Sequence, residues 1–472
     1  MLVDLVWPNR SALAVGTALI GLAITAGLVI LVGGSGTTAQ FAFGGTYEVD
    51  ALTTFLQLLL IGVVALSIVF GPDYLGPRNL PTAEFATVLV FALTGAMLIA
   101  ASADLLILFI ALELMVLPGY LLAAYHKSDA YSTEGAIKYF LLGSFSSAIF
   151  LFGLAFVWGM TGTTSTAGVA EALSAIVAGS SELSPGLAMG LALMTTGVAF
   201  KIAAVPFHYW TPDAYQGSPT PITGYLSVGP KVGAFALILR LFVEALGPLS
   251  EWWLPVIMVL AALTMTVGNL VALTQDNVKR MLAYSSIAHT GYMLVGLAAY
   301  AGGQVLGLQG LLFYGAAYTF MNLGAFAVVA ALQKRTGVTS GLATFSGLGR
   351  REPLLGALML LFLLSLTGIP PLAGFWAKAY VILAAVQAGG WLTVLAVLVV
   401  LNAAAAAFYY LRVAVYMYMR DPESDAPPLS HGALLWGGLA AATALTILFG
   451  LIPTPLLRIV EGAAAAISAI PG

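Results

Sequence analysis

Five side chains in this sequence carry charge where charge is costly. Glu113 sits in "LLILFIALELMVLPGYLL", Lys231 in "YLSVGPKVGAFALIL", and Lys201 and Lys378 in "GVAFKIAAVPFHYW" and "GIPPLAGFWAKAYV". Lys138 follows Glu134 by one helical turn in "STEGAIKYF". An acid or a lysine at the centre of a membrane helix costs about 2.5–3.5 kcal/mol, and the cost is offset only where the group faces a bundle interior or water. Such groups in a line suit proton transfer. Desolvation lowers a lysine's proton affinity and a nearby carboxylate raises it, so moving or neutralising the partner makes the lysine release its proton. Ser227, Tyr284, Ser285, Ser286 and Thr290 offer hydroxyls along the way. No step in such a line needs a redox group.

Each candidate also has a plainer reading. Glu113 with Lys201 could be a buried pair that holds two helices together. Glu134 and Lys138 stand at i,i+4, an ordinary helix-stabilising spacing. His289, in "SSIAHTGYM", is either a hydrogen-bonded bundle histidine or a proton carrier. His208 and Trp210 read as interfacial anchors, while Arg240 and Arg412, near the ends of apolar runs, read as snorkelling side chains.

The composition says what solvent these residues meet. The chain has 472 residues, 60% of them hydrophobic and only 8% charged, with a mean hydropathy of +1.00. Soluble domains carry about 25% charged residues, so this chain cannot cover a soluble surface and reads as an all-α polytopic membrane protein. A net charge of -3 provides no basic face for nucleic acid. With no cysteine, disulfides, thiolate zinc sites and cysteine-ligated iron–sulfur clusters are excluded. His126, His208, His289 and His431 are scattered singly, which argues against haem or metal. No cofactor is expected in this chain, and there is no GxGxxG, P-loop or HExxH motif.

A spanning helix needs about 20 apolar residues. Thirteen stretches qualify, at roughly 11–32, 50–71, 84–101, 103–125, 134–161, 184–208, 220–246, 253–274, 282–300, 304–332, 354–386, 389–419 and 432–452. Residues 171–179 read as a short surface helix and 456–470 as a terminal amphipathic one. Connections on the N-terminal side hold Arg10, Arg78, Lys127, Lys279, Arg280, Lys334, Arg335, Arg350, Arg351 and Arg420, and those on the other side hold no lysine or arginine. The positive-inside rule then places the N-terminus in the cytoplasm and the C-terminus outside.

The sixth stretch is interrupted near Pro206 and the eleventh at Pro370-Pro371, between Gly368 and Gly374. The breaks lie five spans apart, so spans 3–7 and 8–12 form two five-helix units that enter the membrane from opposite sides. Broken helices at matching positions of an inverted repeat point to the working site. The expected parts are N-terminal helices over 1–83, a first five-helix unit over 84–246, a second over 253–419, and a C-terminal helix with its tail over 420–472. In this reading each proline opens its helix so that water and a titratable lysine meet at mid-membrane.

Four segments, "ALELMVLPGYLLAAYHKSDAYSTEGAIKYFLLGSFSSAIFLFG", "FKIAAVPFHYWTPDAYQGSPTPITGYLSVGPKVGAFALILRLF", "NVKRMLAYSSIAHTGYMLVG" and "GIPPLAGFWAKAYV", together resemble subunit N of bacterial NADH–quinone oxidoreductase, respiratory complex I. The resemblance covers about residues 80–415. It implies one of three antiporter-like subunits of a membrane arm, in the bacterial cell membrane. Its partners would be a neighbouring antiporter-like subunit, small membrane subunits, the lipid bilayer, protons and internal water. By resemblance, Glu113 and Lys201 form the coupling pair, Lys231 is the central relay, Lys378 ends the line towards the outside, and Lys138 matches a further lysine. The family usually has 14 spans, and "VDLVWPNRSALAVGTALIGLAITAGL" resembles its second, so the first is expected to be absent or lost to a start-site choice. The long lateral helix of the family's distal subunit is missing, and a lysine at 378 disfavours the middle subunit, which carries glutamate there. The alternative is a subunit of a Mrp-type Na⁺/H⁺ antiporter, although "PFHYWTPDAYQGSPTPITGYLSVGPK" reads as subunit N. A third reading is a membrane-arm spacer with no proton path of its own.

Overall fold

The computed structural model describes residues 6, 11–33, 39–179, 182–334, 339–422 and 430–468. Arg10 and Arg335, both counted above among the sided charges, and the last residues of the tail lie outside the described residues. The chain is almost entirely helical. In chain order the main helices are α1 Ser11–Gly33, α2 Ala51–Phe70, α3 Thr82–Ala100, α4 Leu105–Ala123, α5 Ala130–Thr161, α6 Thr166–Gly179, α7 Pro185–Lys201, α8 Trp210–Gly217 and α9 Thr220–Ile238. There follow α10 Ser250–Ala272, α11 Val278–Ala301, α12 Val305–Leu332, α13 Pro353–Thr367, α14 Ala373–Ala388, α15 Gly390–Met419, α16 Ala433–Leu451 and α17 Thr454–Ser468. A two-stranded hairpin, β1 Gln40–Ala42 and β2 Tyr47–Val49, leads into α2.

Short polar side chains start several of these helices by accepting from their first free amides. Asp104 caps α4, Asp129 caps α5, Ser184 caps α7 and Asn277 caps α11. Ten helices among the described residues are long and apolar enough to cross a membrane. The other three expected spans fall short for local reasons. α7 has 17 residues before its break, α13 and α14 are the 15- and 16-residue halves of the second interrupted helix, and α11 is long but polar.

The two expected five-helix units pack alike. In the first, α3 touches α4 and α9, α4 touches α5 and α9, and both α5 and α9 touch each half of the broken helix α7–α8. In the second, α10 touches α11 and α15, α11 touches α12 and α15, and both α12 and α15 touch each half of α13–α14. The units meet where α9 packs on α12 and α8 on α11. α9 is the axis of the molecule, buried at every residue. Pro230, inside it, has no N–H, so the carbonyl of Leu226 loses its helical donor; the Tyr215 hydroxyl donates to that carbonyl instead, at 3.1 Å.

Candidate functional site: a line of buried lysines

At the first break α7 stops at Lys201, and Ala203 takes a left-handed φ of 56° before Pro206. Trp210 closes the gap by donating its indole N–H to the carbonyl of Phe200 at 3.2 Å. The Lys201 ammonium turns away to α5, donating to Ser147 Oγ at 2.8 Å and to the Gly143 carbonyl at 3.3 Å. The expected ion pair with Glu113 is not closed. Among the described residues no carboxylate lies within ion-pair distance of Lys201, and Glu113 Oε1 is buried without a hydrogen-bond partner. The two charges remain within electrostatic reach. Tyr120 stands beside them with its own buried hydroxyl unpartnered. Its oxygen lies so near Gly143 that a Cβ there would meet it at 2.2 Å. Only glycine lets Tyr120 and the lysine-binding carbonyl share this space.

Lys231 lies on the axis helix, where two residues of the other unit receive it. Its ammonium donates to the Ser286 carbonyl at 2.5 Å and to Ser286 Oγ at 2.6 Å, both on α11, and stands 5.5 Å from the Tyr318 ring of α12. Thr290 Oγ1 ties this point back to the first break, donating to Ile202 O at 3.0 Å and to Ser286 O at 3.2 Å.

At the second break Gly368, at φ 93°, ends α13. The Lys378 ammonium docks on the last carbonyls of that helix, Leu366 at 2.9 Å and Thr367 at 2.6 Å, where the helix dipole favours a cation. It also faces the Tyr292 ring at 5.1 Å. His289 lies between the two halves of the line, within electrostatic reach of both Lys231 and Lys378. Its Nδ1 meets the Tyr314 hydroxyl at 2.7 Å and its Nε2 the Tyr410 hydroxyl at 3.3 Å, while Tyr410 in turn bonds Ser285.

Lys138 stands apart from these buried groups. Its side chain is 42% exposed, bound to Glu134 at 2.6 Å and also to Asp213 on α8 at 2.7 Å. The i,i+4 pair is therefore real but only half of the arrangement. Asp213 also binds Arg280 at 2.7 Å, and Lys279 donates to the carbonyls of Gln216 and Ser218. Burial pushes the Asp213 carboxyl up, but hydrogen bonds from Lys138 and Arg280 outweigh it and hold the carboxyl below its usual range.

Three sequence readings are corrected. Arg240 does not snorkel: it is fully buried, ringed by Glu48, Asp50 and Glu244. Trp210 and His208 are not interfacial anchors but buried, Trp210 stacking on Tyr139 at 4.2 Å. The residues exposed at that corner are Pro206 and Tyr209, the latter at 72%. Sequence reasoning missed the hydroxyls of Tyr314 and Tyr410 and the role of Asp213. Tyr314, Tyr318 and Asn322 were detectable as a polar stripe at i, i+4 and i+8 of an otherwise apolar helix.

The fold and the site define a polytopic helical membrane protein with lysines buried at both helix breaks and on the axis helix between them. The family pattern described as "NADH:quinone oxidoreductase/Mrp antiporter, TM" matches residues 102–402. NADH-quinone oxidoreductase subunit N of Trichlorobacter lovleyi is 40% identical over 98% of this chain and 93% of its own length. A chain of respiratory complex I from Thermus thermophilus superposes with a TM-score of 0.80 at 34% identity, over 97% of this chain and 95% of that one. A chain of the Mrp complex of Dietzia sp. superposes with a TM-score of 0.86 over 100% and 96%, but at 22% identity it shares the fold alone. The chain belongs to the NADH-quinone oxidoreductase subunit N family.

Proposed function

We propose that this chain is the non-redox, proton-translocating subunit of the membrane arm of an NADH:quinone oxidoreductase. Quinone reduction elsewhere in the complex drives protons along Glu113, Lys201, Lys231, His289 and Lys378, with Lys138 at the cytoplasmic mouth. One observation carries the reading. Lys201, Lys231 and Lys378 are 8%, 4% and 5% exposed, and every hydrogen-bond partner of their ammonium groups is a neutral oxygen. A structural lysine buried this deeply is normally paired with an acid. Lys279, 4% exposed and held by the carbonyls of Gln216 and Ser218, shares this environment beside Asp213 and Arg280. The three at the helix breaks and on the axis helix, with no acid partner among the described residues, are suited to losing and regaining protons, since neutralisation relieves the cost of burial.

In this reading the units over 84–246 and 253–419 are inverted halves that each supply one broken helix, flanked by the helices of 1–83 and 420–472. All thirteen stretches cross the bilayer, the N-terminus faces the bacterial cytoplasm and the C-terminus the outside. Neighbouring membrane-arm subunits cover apolar surface that the isolated chain exposes, including that of α1, and the chain holds no cofactor of its own. Lys231→Ala and Lys201→Ala, introduced into the complex in its native membrane, test the proposal through the number of protons moved per electron. A lowered ratio in assembled complex supports it, a wild-type ratio defeats it, and loss of assembly favours a structural spacer. A Mrp-type antiporter reading rests on the shared fold and on a family pattern common to both classes, and predicts sodium-dependent exchange in membranes that lack the redox subunits.

A further inference from the structure

The corrected position of Arg240 opens a second question. Its guanidinium is fully buried and binds Glu48 at 3.2 Å, Asp50 at 2.9 Å and Glu244, together with Thr53 Oγ1 at 2.8 Å and the Ala100 carbonyl at 3.0 Å. The three acids are themselves at most 7% exposed at their side chains. One oxygen from each lies within 4.8 Å of the others. Three carboxylates therefore face one cation. Of the helices packed around them, α9 carries Lys231, which binds Ser286, and α17 the exposed Arg458, and among the described residues neither pairs with the cluster; α6 brings Glu171, the turn before α4 Asp104 and the start of α10 Glu251. Glu244 Oε2 is buried with no hydrogen-bond partner. Burial holds the Glu48 carboxyl above its usual range, against the pull of Arg240 beside it and with help from Asp50.

A small apolar cavity opens beside Lys231 on the α2 side of the axis helix. Phe55, Leu56, Leu59, Phe235, Leu239 and Lys231 line it. About 20 Å³ is open to the centre of a water molecule, room for little more than one water. Its lining includes Phe55, two residues beyond Thr53, and Leu239, the residue before Arg240, but none of the cluster's own side chains.

We propose that the Glu48–Asp50–Glu244 cluster binds one exchangeable proton, carried on the free oxygen of Glu244, and accepts protons from Lys231 when water enters the apolar packing between them. Like carboxylates sharing a dry site raise one another's proton affinity, and apolar constrictions conduct only while hydrated. The proposal rests on the relay reading of Lys231 and gives the first five-helix unit its own outlet.

The test is Glu244→Gln in the whole complex, a change that keeps the shape and an oxygen for Arg240 but removes the titrating group. The expected results are assembled complex, loss of one protonated-carboxyl band from its infrared spectrum against wild type, and a lowered proton-to-electron ratio. An unchanged band, or a lost band with a wild-type ratio, overturns the proposal. If this variant does not assemble, Glu48→Gln asks the same question from the other side of the guanidinium, and failure of both to assemble makes the cluster a structural staple. Failure of the relay reading is separate: Lys231→Ala would then pump at the wild-type ratio.

Discussion

Lys378 donates to the carbonyl of Thr367 at 2.6 Å, so a side chain from the second half of the broken helix sits on the last turn of the first half. This contact serves two ideas equally well in a static structure. A fixed counter-charge would steady the dipole end, and a relay member would wait there between transfers. Arginine separates them, because it stays protonated at every accessible pH. As a relay, Lys378→Arg impairs pumping nearly as much as Lys378→Ala; as a counter-charge, arginine substitutes well. The proton-to-electron ratio in membranes carrying each variant decides, and near-normal pumping in the arginine variant removes Lys378 from the line.

Gly368 is the second member of that arrangement. At φ 93° a side chain is strained, and a Cβ would meet Lys378 Cδ at 2.9 Å. Gly368→Ala is expected to cost about 1–3 kcal/mol at a backbone position of this kind and to displace the ammonium from the two carbonyls. Thermal inactivation of the purified complex measures the first effect and proton pumping the second. A variant as stable and active as wild type would show that the break tolerates a different path.

On the side of the lysine- and arginine-bearing connections, Asp213 joins Lys138 to Arg280. Its carboxyl is held below its usual range, so the stability it contributes is present above the unfolded-state value, roughly 3.9, and is lost as pH falls through the lower folded value. Asp213→Asn should therefore weaken the complex by the same amount at every pH from about 8 to 5. The melting difference between variant and wild type reads this directly. A difference that fades within that range would place the controlling titration elsewhere.

Ser147 gives Lys201 its shorter hydrogen bond, at 2.8 Å. Ser147→Ala leaves a buried ammonium with a single carbonyl partner, a loss of about 1–3 kcal/mol for the charged form. If Lys201 cycles between charged and neutral states, the pH dependence of pumping shifts to lower pH in this variant. If Lys201 is a permanent structural cation, the variant loses stability and its pumping profile stays in place.

The parts of this architecture that depend on local chemistry were legible in the sequence. Proline in an apolar run forecasts a break, and both breaks occur where Pro206 and Pro370-Pro371 stand. Lysine in such a run forecasts an inward-facing group, as found for Lys201, Lys231 and Lys378. What failed depended on distant neighbours. Arg240 was read from its place near a span end, whereas its partners Glu48 and Asp50 lie 192 and 190 residues upstream. Trp210 and His208 were read as anchors because aromatic residues near a span end commonly are, but the break folds Trp210 inward against Tyr139 of α5 and His208 towards Tyr284 of α11, and leaves Tyr209 outside. The link between Glu113 and Lys201 is of the same kind. Sequence resemblance joined the two, and the structure leaves them within electrostatic reach but unbonded.

The complete enclosure of α9 has a consequence for how the chain is made. Lys231 leaves the ribosome on a span whose later partners, Ser286 of α11 and Tyr318 of α12, are still unsynthesised. Until Val305–Leu332 has been inserted, the lysine-bearing face of that span is open to lipid or bends towards the headgroups. A nascent chain stopped before residue 305 is then an unstable membrane intermediate and a natural substrate for quality-control proteolysis, while one that has gained α12 has closed around its most costly residue. Insertion of α12 thereby doubles as a checkpoint on the span that carries Lys231.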